Sequence, residues 1–154
     1  MRPRWLWCAV ASVALVGCGA GTPTPVPAES IPPPPTARDG WQSVVSFGGS
    51  GPGAVGASTE IAEGAVAVHA SCVGGDTLVV MLATSAPTAG QGIAAPAAVF
   101  DCGEAGETVT SRVELEGVPI GEVIASAFVA EGAGSTRHAA FNVSIEQPSD
   151  AADD

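Results

Sequence analysis

Between Arg38 and Gln147 the chain never holds a 3.6-residue apolar period for three helical turns. Its Val, Ile, Thr and Phe come instead in short runs broken by glycine clusters. A segment of this length can bury one modest core but not two. The pattern predicts seven strands: Trp41–Phe47, Val66–Val73, Thr77–Ala83, Ala97–Cys102, Thr108–Glu116, Glu122–Ala130 and Thr136–Gln147. In the fifth, Val109, Val113 and Leu115 alternate with Thr108, Arg112, Glu114 and Glu116; in the seventh, Phe141, Val143 and Ile145 alternate with Asn142, Ser144 and Glu146. One buried and one wet face suits such strands, and an all-β, small antiparallel β-sandwich is the expected fold. Strand order does not follow from this pattern.

Two connections read as tight hairpins, Gly74-Gly75-Asp76 and Glu131-Gly132-Ala133-Gly134-Ser135, because glycine and aspartate tolerate positive φ.

The N-terminus carries a different signal. Arg2 and Arg4 precede an uncharged apolar run from Trp5 to Gly17, the length of a signal-peptide core rather than a membrane span. Leu15-Val16-Gly17-Cys18 then matches the bacterial lipobox, in which the cysteine takes a diacylglyceryl group and becomes the first mature residue. Residues 1–17 are therefore read as a lipoprotein signal peptide, with Trp5 to Gly17 expected as a helix of the precursor. Residues 18–37, with Pro32-Pro33-Pro34-Pro35 near their end, are read as a lipidated spacer. In polyproline II geometry it would hold the domain up to ~60 Å from the bilayer. Residues 38–147 form the domain and 148–154 a disordered acidic tail.

Cysteine usage agrees with an extracytoplasmic address. Cys8 leaves with the signal and Cys18 is lipidated, so Cys72 and Cys102 remain to pair in an oxidising compartment. Beyond the signal only Arg38, Arg112 and Arg137 stand against 16 acids, and no lysine occurs. That balance excludes nucleic acid and attraction to anionic headgroups, so membrane attachment rests on Cys18.

The lysine-free, Ala/Gly/Val/Pro-rich composition, the lipobox, the proline stalk, and Ser71-Cys72-Val73-Gly74-Gly75 with Asp101-Cys102-Gly103 resemble small lipoproteins of high-GC Gram-positive bacteria. The resemblance implies a location and a fold type, and carries over no catalytic residue.

Candidate chemistry is sparse. Gly51-Pro52-Gly53-Ala54-Val55-Gly56 fits G-x-G-x-x-G, but only Ala57 to Glu63 follows before Gly64, too little for the required helix, so it reads as a glycine loop. His69 and His138 lie opposite the apolar positions of their strands and are expected to be exposed; they are weak metal candidates with no ligand-spaced companion. Asp101, Glu104 and Glu107 flank a glycine turn that lacks any calcium-loop spacing. No G-x-S-x-G elbow occurs, and Gly49-Ser50-Gly51 lacks its outer glycines. Trp41 alone, without tyrosine, is a poor platform for sugars.

These features together point to a membrane-anchored, extracytoplasmic, non-enzymatic lipoprotein that binds an envelope protein and needs no cofactor. The competing reading is a small extracytoplasmic enzyme or metal-binding protein using His69 and His138.

Overall fold

The computed structural model describes residues 28–74, 76–84, 96–118, 120–130 and 138–150. The expected signal-peptide helix, Cys18 and the first part of the expected spacer lie outside them.

Eight strands form in chain order: β1 (Trp41–Ser50), β2 (Val55–Ile61), β3 (Val66–Val73), β4 (Thr77–Thr84), β5 (Pro96–Asp101), β6 (Val109–Leu115), β7 (Gly121–Ala130) and β8 (Ala140–Pro148). They make two antiparallel four-stranded sheets, ordered β1-β8-β3-β6 and β2-β7-β4-β5. The protein is a small β-sandwich, as its pattern predicts. Among the described residues no helix is long and apolar enough to cross a membrane.

The core lies between the sheets. Val66, Val68, Ala70, Cys72, Phe141, Val143 and Ile145 from the first sheet meet Ile61, Leu78, Val80, Phe100, Val123, Ala125 and Ala127 from the second. Strand β7 shows the causal pattern cleanly, with Val123, Ala125, Ala127 and Val129 buried and the residues between them facing outward.

One strand goes beyond the predicted seven. Val55, Ala57, Thr59 and Ile61 alternate with the exposed Gly56, Ser58 and Glu60, so the segment read as a glycine loop and short turns is an edge strand paired with β7. Gly56 sits in this strand because an added Cβ would lie 2.5 Å from the Ala125 carbonyl oxygen. The glycine marks close strand approach rather than a phosphate loop.

Both hairpin expectations are overturned. Strands β3 and β4 belong to different sheets, as do β7 and β8. The chain therefore crosses the sandwich after Val73 instead of folding back in plane. Gly74 makes this possible at φ 126°, where a Cβ would meet Ala139 at 2.6 Å. Its N–H donates to the Gly103 carbonyl at 2.8 Å, and Cys102 N–H donates to the Asp76 carbonyl at 2.9 Å. Residues 131–135 of the second connection lie outside the described residues.

The expected disulfide joins Cys72 on β3 to Cys102 just after β5, and so clips the two sheets together at one end. At the other end Gln147 ties the β2–β3 connection: its amide accepts from Ala62 N–H at 3.1 Å and donates to Ala62 carbonyl at 2.9 Å.

The proline-rich stretch is in part attached to the domain. Ala28 pairs with His138, Glu29 N–H donates to the His138 carbonyl at 2.8 Å, and Pro32 is buried. Ile31 reaches β1 beside Gly48. After β8, Ser149 N–H still bonds to the Gly40 carbonyl, so the ordered chain runs past the expected start of the tail.

Candidate functional site

Register assembles on the outer face of the first sheet what the sequence leaves scattered. One row across it reads Ser46, Ser144, His69 and Arg112; the next reads Ser43, Glu146, Ala67 and Glu114. Ala67 has almost no side chain, and it stands between two carboxylates. Arg112 fills that space from the neighbouring row. Its Nε donates to Glu146 at 3.1 Å and its Nη1 to Glu114 at 2.7 Å. Trp41 covers the guanidinium, 4.2 Å from ring centroid to Cζ. His69 Nδ1 lies 2.9 Å from the other Glu146 oxygen, and Arg38 reaches Glu114 at 3.4 Å from outside.

The centre of the cluster is closed, while Glu114 at its rim stays exposed. Glu146 has 0% of its side chain exposed and His69 14%. A buried carboxylate needs partners on both oxygens, and His69 and Arg112 occupy one each. Burial acts to lower the Arg112 pKa, but the hydrogen bonds and charges of Glu114 and Glu146 outweigh it and hold the guanidinium above its ordinary value. Arg112 stays cationic at any working pH. Its Nη2 is buried beneath Trp41 without a hydrogen-bond partner, the cost of bringing the planar fork over Ala67.

Three expectations are corrected here. His69 is largely buried rather than exposed, and the outward side of β8 is not wet, because Ser144 and Glu146 are 1% and 0% exposed. The cause is position: β8 and β3 are the two inner strands of their sheet, and Trp41, Arg112 and His69 roof them. His138 is half-buried near Gly51, not exposed on a strand.

Strands β3 and β8 are neighbours, yet the two histidines are not. His69 pairs with Ser144, and His138 lies six residues before Ser144 in the chain, about 20 Å at strand spacing. Among the described residues no group of three His, Cys, Asp or Glu side chains is placed to hold a metal. Asp101, Glu104 and Glu107 are all exposed.

The His69–Glu146 contact has the form of the acid–base half of a catalytic triad. Its nearest serine does not complete one. Ser144 is buried and shares a 2.6 Å hydrogen bond with Ser43, so no substrate reaches its hydroxyl in this arrangement.

Arg112, Glu114, Glu146 and Trp41 were not singled out as a site by sequence reasoning. The alternation in β6 and β8 already places three of them on outward faces; the missing information is that β3 lies between those strands.

The second sheet presents an unlike outer surface. Val79 and Met81 of β4, Ile124 and Phe128 of β7 and Val99 of β5 point away from the core. Val99 is 55% and Ile124 45% exposed. The described charges beside this apolar stripe are all negative: Glu60 opposite Glu122 at one end, and Asp101 at the other.

No protein-family model matches this chain, and neither a curated protein nor a solved structure shows detectable similarity to it.

Proposed function

We propose that the protein is a lipid-anchored, extracytoplasmic and non-enzymatic binding module of the cell envelope. The observation that carries this reading is the apolar outer face of the second sheet, exposed at Val99 and Ile124 in an otherwise strongly acidic chain. The chemically capable side chains support it from the other direction, since His69, Glu146 and Arg112 bind one another beneath Trp41. Such a protein works by presenting a surface.

The lipobox at Leu15–Cys18 supports the anchor. Because Ala28 pairs with His138 and Glu29 N–H bonds to the His138 carbonyl, the spacer ahead of the domain is shorter than the full proline-rich stretch. The ten residues from Cys18 to Ala28 reach at most ~35 Å. The domain would stay near the bilayer.

Intact mass of the protein taken from its native membrane without reductant tests this reading. The expected species begins at Cys18, carries a diacylglyceryl group, and lacks two hydrogens for the Cys72–Cys102 bond. An unmodified chain beginning elsewhere would overturn the anchor.

A further inference from the structure

We infer that the outer face of the second sheet docks a protein whose contact surface is an apolar centre bordered by lysine or arginine, rather than a second copy of this chain or the bilayer. The inference rests on the binding-module reading and names the partner's chemistry.

The face is built for a mixed contact. Val99, Val79 and Phe128 form one row across β5, β4 and β7, and Ala83 and Ile124 another. Carboxylates close both ends of this stripe. Glu60 and Glu122 stand directly opposite each other, an arrangement that costs stability in the isolated domain. Ser58 donates to Glu122 at 3.0 Å but supplies no charge. A cation from a partner would relieve that repulsion. Among the described residues this chain supplies none there: Arg38, just before β1, and Arg112 on β6 both bond to Glu114 of the other sheet.

Charge also decides between occupants. Because both ends of the stripe are acidic, stacking a second copy in either direction sets carboxylate against carboxylate. Anionic headgroups meet the same repulsion. A basic-rimmed protein satisfies the apolar centre and both ends together.

The face also fits a weak contact. Four strands by about eight residues give roughly 500 Å² in projection, below the ~800 Å² per partner of a stable interface. Confining both proteins to one membrane would raise their effective concentration enough to compensate.

The test is photo-crosslinking of the full chain in its native cells, with benzoylphenylalanine at Val99, at Ile124, or at the exposed Thr110 on the first sheet. The expected result is one protein joined from both Val99 and Ile124 but not from Thr110, through a peptide containing Lys or Arg. With that protein purified, binding should weaken at least ~10-fold from low to 0.5 M salt. It should weaken similarly in the combined variant Glu60→Gln, Glu122→Gln, Asp101→Asn, with its melting temperature preserved or raised as the Glu60–Glu122 repulsion is lost. Adducts with a second copy, adducts with lipid, no adduct above the Thr110 control, or salt-insensitive binding would each overturn the inference. Intact mass on the same samples separates the two claims: a lipidated chain without the Val99 adduct removes the docking face and keeps the anchor. An unlipidated chain with the adduct does the reverse.

Discussion

The two outer faces of this sandwich solve opposite problems with the same backbone. The first sheet covers a row of polar and charged side chains until Glu146 is fully buried, while the second leaves Val99 and Ile124 in contact with solvent. Composition alone suggests the reverse, since apolar surface is what folding removes from water. The difference teaches that burial here follows position in the sheet. Glu146 and His69 stand on inner strands and are roofed by Arg112 and Trp41 from the edges, whereas the edge strands of the second sheet send no long side chain over their centre.

The sharpest way to break this comparison is Glu146→Ala. It leaves Arg112 buried with Glu114 as its remaining carboxylate, and removing one partner of a buried pair typically costs about 3–5 kcal/mol. That is a large share of the roughly 5–15 kcal/mol that holds such a domain together. Urea unfolding of the domain, followed by Trp41 fluorescence, reads the loss directly, because Trp5 and Trp7 precede Cys18. A change below ~1 kcal/mol would mean that the cluster is a surface network after all. Replacing Glu146, Arg112 and His69 together by Leu, Met and Leu should recover most of the loss.

The disulfide comes next, and it bears on both faces equally. Cys102→Ser opens a loop of 30 residues, worth about 3.5 kcal/mol in the chain-entropy account and about 10–15 °C in melting temperature. The folded protein's Trp41 emission should not change, because the clip lies at the opposite end of β3 from Val66 and Ala67. A shifted native spectrum would show that the polar roof depends on how the sheets are clamped.

How far the sequence reveals these faces can be traced residue by residue. Period-two alternation exposes the strands, and β3 is read to the residue because Gly64-Ala65 precedes Val66–Val73 and Gly74 follows it. Even β2 has the signal, with Val55, Ala57, Thr59 and Ile61 on one side, but Gly56 and its neighbours disguise it as a loop. The Cys72–Cys102 pair follows from elimination. What the chain does not reveal is which strands adjoin. Hydrogen bonds between strands are made by backbone, which is the same at every residue, so Gly74 looks like a hairpin turn although it carries the chain between sheets. Without the order β8-β3-β6, nothing brings Glu146, His69 and Arg112 together.

Trp41→Leu probes the roof alone. It removes the ring over the Arg112 guanidinium and opens the buried Nη2 to water, so the lost cation–π contact of about 1 kcal/mol is partly offset by hydration. The expected net cost in urea is below about 1 kcal/mol. A larger loss would mark Trp41 as a packing residue first.

The smallest effect on stability is expected on the second sheet, and that smallness is informative. Val99→Thr and Ile124→Thr keep β-branched side chains at positions that already face water, so neither strand preference nor core packing changes much. Each should shift stability by no more than ~0.5 kcal/mol, an order of magnitude below Glu146→Ala. If instead either costs 2 kcal/mol or more, the side chain must be covered by another part of the chain, and the face is not free to dock anything. If both are silent in urea yet each abolishes the crosslink read from the other position, Val99→Thr from Ile124 and Ile124→Thr from Val99, the apolar stripe is maintained for a partner rather than for the fold. Measuring the two variants beside Glu146→Ala thus separates a sheet that is closed for stability from one that is open for use.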